Sequence, residues 1–207
     1  LNVYEDIEMA EIAFIMGKSA SGKDKIYKAL CEDKELNLKT ITMYTTRPMR
    51  SGETDGVEYH FVDDDIACHL ENAGKIIEMR CYNTVYGVWK YFTVDDGQVD
   101  LNSGDRYIVI GTLEAYNAFC RYYGNEHIMP IYIEVDDGIR LERALKREKK
   151  QEIPRYEEMC RRFLADAKDF SEENITNCHI TKRFFNNTEL EDCINEVKVA
   201  IRKELMI

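Results

Sequence analysis

The residues best suited to chemistry lie near the start of the chain, in Gly17-Lys18-Ser19-Ala20-Ser21-Gly22-Lys23-Asp24. The spacing is G-x-x-x-x-G-K, set between an apolar run and an amphipathic segment. Glycines at both ends let the backbone curl until successive N–H groups point inward, making a cradle for phosphate oxygens. A helix opening at this point would add the positive end of its dipole. Lys23 could then reach the β- and γ-phosphates of a nucleotide. The residue after the lysine usually offers a hydroxyl to Mg²⁺; here it is Asp24, a harder and charged oxygen ligand.

A second group follows in Thr45-Thr46-Arg47-Pro48-Met49-Arg50-Ser51-Gly52-Glu53, with Tyr59 a short distance on. Pro48 keeps this segment out of a helix interior. Two guanidinium forks near one phenolic hydroxyl suit a phosphate dianion, and Glu53 could hold one arginine in place. Taken bare, the same residues also describe a solvated surface loop. A third group is the arginine-rich stretch Arg140, Arg143, Arg147, Arg155, Arg161 and Arg162. This stretch is basic within an acidic chain, and on its own it also describes an exposed helix laced with pairs such as Glu142–Lys146.

These groups need a frame. Ile12–Met16 reads as a buried strand, followed by the glycine turn and a helix to Leu30. Strands are predicted over residues 40–45, 56–62, 76–82 and 86–94, with a helix over 64–73 and a turn at Asp96-Gly97. Residues 106–111 contain YIVI, an apolar strand of the kind a parallel sheet buries on both faces. Thr112 is placed to cap a helix over 113–123, and Gly124 to stop it. A strand over 128–135, helices over 138–150 and 155–170, a weak strand near Ile180 and a helix over 188–206 complete the chain. Strands alternating with helices predict an α/β fold with a central parallel sheet. Residues 46–100, rich in strand signals, read as an inserted lobe.

Composition narrows the possibilities. The 207 residues suit a single domain carrying a smaller lobe. A net charge of −11 argues against a general nucleic-acid binder. No apolar run is long enough to span a bilayer, and residues 1–11 are acidic without a secretory pattern. The seven cysteines are scattered and lack C-x-x-C, which points to reduced thiols and a cytoplasmic location. The four histidines have no zinc-ligand spacing. Nothing in the sequence fixes an oligomeric state.

The order of residues from Thr45 to Phe61 is similar to the nucleotide-monophosphate signature of guanylate kinases, T-T-R-x-x-R-x-G-E-x-x-G-x-x-Y-x-F. With the phosphate loop upstream, the chain resembles a divergent member of that family from about Ile12 to about Ile201, patchily after Tyr86. The resemblance implies a P-loop NTPase three-layer fold with an inserted β-rich lobe (46–100) and a helical lid (139–162) on a core of 11–45 and 101–207. It implies transfer of the γ-phosphoryl group of ATP to GMP or dGMP, with Mg²⁺. It assigns ATP to residues 17–24, with Lys23 catalytic. Arg47, Arg50, Tyr59 and Tyr86 of the pair Tyr86-Gly87 match the acceptor-phosphate ligands, with Glu53 beside them. Glu78 matches the glutamate that accepts from guanine N1–H and N2–H. Arg143, Arg147 and Arg162 match the lid arginines, across a connection about four residues longer than usual, around 149–153.

Four departures accompany the resemblance. Asp24 stands at the hydroxyl position of the loop, and the strand over 107–112 lacks the acidic residues that the family carries near the metal. These two changes suggest that the metal-side carboxylate has moved to Asp24, with Thr112 assisting through water. Met43 and Val88 replace serines near the base, which leaves discrimination to Glu78. Residues 88–100 read as a hairpin where the family has a helix. The alternatives are an impaired nucleotide- or peptide-binding module of this type, and a kinase of the same fold with a different acceptor.

Overall fold

In the computed structural model, which describes residues 10–84 and 87–206, the chain forms an α/β fold around a five-stranded parallel sheet. In order along the chain come β1 (Ile12–Met16), α1 (Lys23–Cys31), β2 (Lys39–Thr40), β3 (Tyr44–Thr45), β4 (His60–Phe61) and α2 (Asp64–Asn72). Next are β5 (Ile76–Thr84), β6 (Gly87–Val94), β7 (Tyr107–Ile110), α3 (Leu113–Tyr123) and β8 (Ile128–Glu134). The chain closes with α4 (Asp137–Glu148), α5 (Tyr156–Asp169), α6 (Glu172–Asn177), β9 (Arg183–Phe185) and α7 (Leu190–Glu204).

The parallel sheet runs β2-β7-β1-β8-β9, with β1 at its centre pairing Ile12 with Tyr107 on one side and with Ile128 on the other. Every residue of β1 is buried, because helices cover both faces. On one face Ala13 and Ile15 pack with Ile26 and Leu30 of α1 and with Val197 and Ile201 of α7. On the other, Phe14 meets Tyr116 and Phe119 of α3 edge-on, at 5.6 and 5.1 Å between ring centres. The result is three layers, with the C-terminal ends of β1 and β7 opening toward the phosphate loop and Thr112.

A second sheet, ordered β4-β3-β6-β5, draws its strands from residues 44–94. The long antiparallel pair β5–β6 dominates it, and Phe92, Val94 and Ala67 form its own small core. Thr112 caps α3 by accepting from the Ala115 N–H at 3.2 Å, as the sequence suggests.

Local readings fail where the chain changes sheets. Residues 40–45 are not one strand: Lys39–Thr40 pairs with β7, while Tyr44–Thr45 pairs with β4 and β6. Between them the Thr42 N–H is taken by Gln98 Oε1 at 2.7 Å, so a side chain replaces the ladder partner as the chain crosses over. Of the strand expected over 56–62 only His60–Phe61 pairs, because Gly56 turns at φ +79° and its N–H bonds the Tyr59 carbonyl. The hairpin expected over 88–100 is the second arm of β5–β6 followed by loop; nothing returns after Val94, and the Asp95 N–H bonds Lys75 O instead. The weak strand near Ile180 forms three residues later, as β9, and α6 was not anticipated.

The missing acidic residues at the end of β7 have a packing reason. A Cβ on Gly111 would lie 2.6 Å from the Phe14 ring, and Phe14 is fully buried between Tyr116 and Phe119. Gly111→Ala is therefore expected to destabilise the fold by about 1–3 kcal/mol as overpacking, read as a lower thermal midpoint.

Candidate nucleotide site

The phosphate loop owes its shape to close packing from behind. Gly17 lies against β8, where a Cβ would stand 2.6 Å from the Ile133 carbonyl oxygen. Gly22 is left-handed at φ +88°, and a Cβ there would meet Asn186 Nδ2 at 2.5 Å. That Asn186 amide is buried and donates to Ser21 O at 2.8 Å, clamping the loop from the far end of the chain. α1 starts at Lys23 with no side chain capping its first amides. The Lys25 and Ile26 N–H groups bond the Gly22 carbonyl, while those of Lys23 and Asp24 have no partner among the described residues and can face an anion, as the loop motif requires.

The loop is held from the front by a fully buried arginine. Arg140 Nε donates to Ser19 O at 3.1 Å, its other nitrogens engage Asp137 and Asp166, and Phe163 lies under the guanidinium at 4.5 Å. Asp166 in turn accepts from the Ser19 N–H at 2.7 Å. α4 and α5 are thereby tied to the loop through both polar groups of one residue's backbone. Lys18 adds a contact to Asp137 at 3.6 Å. Ala20 sits in the left-handed region at φ +64°, completing the curl.

Beside the loop opens a cleft of about 1520 Å³. Lys23, Asp24 and Thr112 line one end, Tyr59, Arg80 and Tyr91 the other, and Arg50, Arg155 and Arg162 face into it. A smaller hollow shares Arg50, Arg155 and Arg162 with this cleft and is lined as well by Ser19 and Arg147. Arg50, on the segment before the second sheet, therefore faces the same space as the phosphate loop and the charged helices. Arg155 joins this group although no motif assigns it a place.

Other sequence-derived residues sit behind the surface. Arg47 is 3% exposed; it makes a bidentate pair with Glu53 at 2.9 and 2.8 Å and lies over the Tyr59 and Phe61 rings. Glu53 also accepts from the Arg50 N–H at 2.7 Å, so the Arg47–Glu53 pair shapes the turn that presents Arg50. Glu78 is buried with its carboxylate already engaged by Arg80 and Thr93. Arg143 is half-buried on α4 and does not line either space. Gly87 opens β6 at φ +110°, while Tyr86 lies outside the described residues. Arg162 is held by Glu158 at 2.7 Å, and the Arg161 and Arg162 guanidiniums push the Glu158 carboxyl down to about 2.

Sequence reasoning missed Asp166, Asn186 and Arg80. None belongs to a local motif; each matters only because the fold brings it to the loop or cleft from another part of the chain.

Asp24 is an exposed oxygen donor 3.8 Å from Lys23 and on the same wall as Thr112. Among the described residues no three His, Cys, Asp or Glu side chains gather to hold a metal. A cation at this wall would thus take one carboxylate from the protein and its remaining ligands from phosphate and water. That donor set fits Mg²⁺, which retains waters and binds through one or two carboxylates plus substrate phosphates.

Comparison with known proteins agrees with this geometry. Residues 9–94 match the family model described as guanylate kinase. The guanylate kinase of Mycoplasma mobile is 28% identical over 199 residues, covering 94% of both chains. That of Porphyromonas gingivalis is 26% identical over 195 residues, covering 93% of this chain and 97% of its own. The fold matches the crystal structure of guanylate kinase from Anaplasma phagocytophilum with a TM-score of 0.61, at 22% identity, over 96% of this chain and 88% of that one.

The Arg47–Glu53 pair gives a pH test. The Arg47 guanidinium, followed by the Arg50 N–H, holds the Glu53 carboxyl below its usual range. Its stabilisation is present above the ordinary glutamate value near ~4.3 and is lost as pH falls through the depressed folded value. Glu53→Gln should melt below wild type at pH 7, with the gap closing as pH drops below about 4.

Proposed function

We propose that this chain, which is similar to guanylate kinases in the family model over residues 9–94 and in relatives along nearly its whole length, is a divergent member of that family and transfers the γ-phosphoryl group of ATP to GMP, or dGMP, giving ADP and GDP. The observation that carries this reading is the cleft itself: Lys23 and Asp24 of the phosphate loop share its lining with Arg50, Arg155 and Arg162, and Arg147 lines the adjoining hollow with Ser19. Such a site holds two anionic phosphates together, which is the main demand of phosphoryl transfer.

In this reading the amides of residues 17–24 and Lys23 bind the ATP phosphates. Arg50 and Tyr59 hold the acceptor phosphate, with Arg47 and Glu53 bracing that segment. An oxygen of the acceptor phosphate attacks the γ-phosphorus, the bond to the β–γ bridging oxygen breaks, and ADP leaves with the electron pair. No general base is needed, because the attacking oxygen is already anionic. Arg147, Arg155 and Arg162 stabilise charge spread over the transferring group. α4 and α5 act as the lid, and Arg162 leaves Glu158 for phosphate when both ligands are present. Asp24, with Thr112 through water, would hold Mg²⁺, which neutralises charge on the phosphate oxygens when bound.

The residues from 46 to 100 are assigned to the acceptor lobe and the remainder to the core. All seven cysteines are free thiols, which supports placing the protein in a reducing compartment such as the cytoplasm. The intact Lys23 and open cleft favour turnover over a binding-only role.

Release of ADP from ATP, coupled to NADH oxidation, should depend on added GMP. Equal release with and without GMP, or none with either, would overturn the assignment. Arg162→Ala is expected to lower kcat about 10²-fold or more, as for loss of a charge-stabilising donor. Asp24→Asn should cut Mg²⁺-dependent turnover strongly and raise the Mg²⁺ concentration needed for half-maximal rate; an unchanged Mg²⁺ dependence would refute its metal role.

A further inference from the structure

The base end of the cleft is lined by an arginine where a carboxylate would be expected to read guanine. Glu78 is 8% exposed and does not line the cleft; Arg80 does, beside Met43, Tyr59 and Tyr91. Both Glu78 oxygens are engaged: Oε2 accepts from Arg80 Nε at 3.0 Å, and Oε1 accepts from Arg80 Nη2 at 3.3 Å and from Thr93 Oγ1 at 3.1 Å. Thr93 is itself fully buried. A base offering N1–H and N2–H to Glu78 would have to displace a paired guanidinium and leave Arg80 uncompensated, which costs more than an ordinary hydrogen bond returns.

Arg80 has donors to spare. Its Nε and one hydrogen of Nη2 go to Glu78, and the remaining protein contact is a long one from Nη2 to Met43 Sδ at 3.6 Å. Nη1 has no protein partner among the described residues. The side chain is 12% exposed, and the pair with Glu78 fixes its plane. The edge away from Glu78, Nη1 together with the Nη2 hydrogen that makes only the long Met43 contact, presents two parallel donors, which match two adjacent acceptors. Guanine carries such a pair at O6 and N7, whereas adenine offers one acceptor and one donor on the same edge.

We propose that Arg80, oriented by Glu78 and Thr93, is the base-reading residue, and that it selects guanine through O6 and N7. Glu78 is then a positioning residue that acts through Arg80. This rests on the acceptor being a purine monophosphate, as proposed above. It accounts for Met43 in the cleft: with Arg80 supplying the donors to O6, a serine hydroxyl is not required there.

Analogues of the acceptor separate the two modes of reading without any mutation. Binding is measured calorimetrically for GMP, IMP, 7-deaza-GMP and AMP, alongside turnover of each with ATP. IMP keeps O6 and N7 but lacks the 2-amino group, and should bind within about twofold of GMP. 7-Deaza-GMP lacks the N7 acceptor and should bind about tenfold more weakly, as should AMP. Arg80→Ala should remove the N7 effect, and by freeing Glu78 should make GMP bind better than IMP. Glu78→Gln, which keeps the side-chain volume but weakens the hold on Arg80, should shrink the N7 effect. A wild type that favours GMP over IMP and ignores N7 overturns the assignment to Arg80, even if GMP is phosphorylated. N7-dependent binding without turnover supports Arg80 and overturns the transfer reaction instead. Failure of every purine monophosphate to bind overturns both.

Discussion

Arg140 is the constraint on which the functional half of the molecule depends. A fully buried guanidinium cannot stand alone in a low-dielectric interior; it must be paired and hydrogen-bonded. Here it is satisfied by Asp137 on its own helix, Asp166 on the next, the Ser19 carbonyl and the Phe163 face. Those partners come from the phosphate loop and both charged helices. The same set of bonds that makes the arginine tolerable therefore fixes the loop relative to the two helices that carry Arg147 and Arg162. Asp166 completes the link by taking the Ser19 N–H, so any movement of α5 is felt at the loop.

The cleft resolves an apparent conflict in charge. The chain carries −11 overall, yet Lys23, Arg50, Arg155 and Arg162 converge on one cleft, and Arg147 lines the smaller hollow that shares those three arginines. Local field, not net charge, decides whether an anion enters. Cations so close together repel one another, and carboxylates beside the cleft offset part of that repulsion. Glu158 engages Arg161 and Arg162, and Glu53 engages Arg47. The two cases differ in solvent access. Arg162 is exposed and can exchange Glu158 for phosphate at little cost, whereas Arg47 is sealed against Glu53 and serves as a brace. That distinction separates side chains that can act on a substrate from those that shape the segment presenting it.

What could be read in the sequence was whatever depends on near neighbours. The strand–loop–helix of Ile12–Met16 and Lys23–Cys31, the Thr112 cap and the apolar strands β7 and β8 all follow from local pattern. The crossing from one sheet to the other at Thr42 did not, because Gln98 supplies its partner from far along the chain. The site shows the same division. The motif locates the phosphate loop, but not the Asn186 amide that clamps it or the Asp166 carboxylate that ties it down. Glu78 fits its motif position by sequence; only the fold reveals that Arg80, two residues on along the same strand, covers its carboxylate. The absence of acidic residues after β7 was visible as an anomaly, and its cause, the Phe14 ring against Gly111, required the packing.

In the proposed reaction one cleft grips donor and acceptor at once, between Lys23 and the arginines that share its lining. A crystal structure with a bisubstrate analogue, adenosine and guanosine joined by a polyphosphate, tests it most directly. Continuous density is expected for the phosphate chain from the amides of residues 17–24 past Lys23 to Arg50, with Arg162 turned from Glu158 onto the phosphates. A chain bound only at the loop, with Arg50 facing solvent and Arg162 still on Glu158, would contradict it.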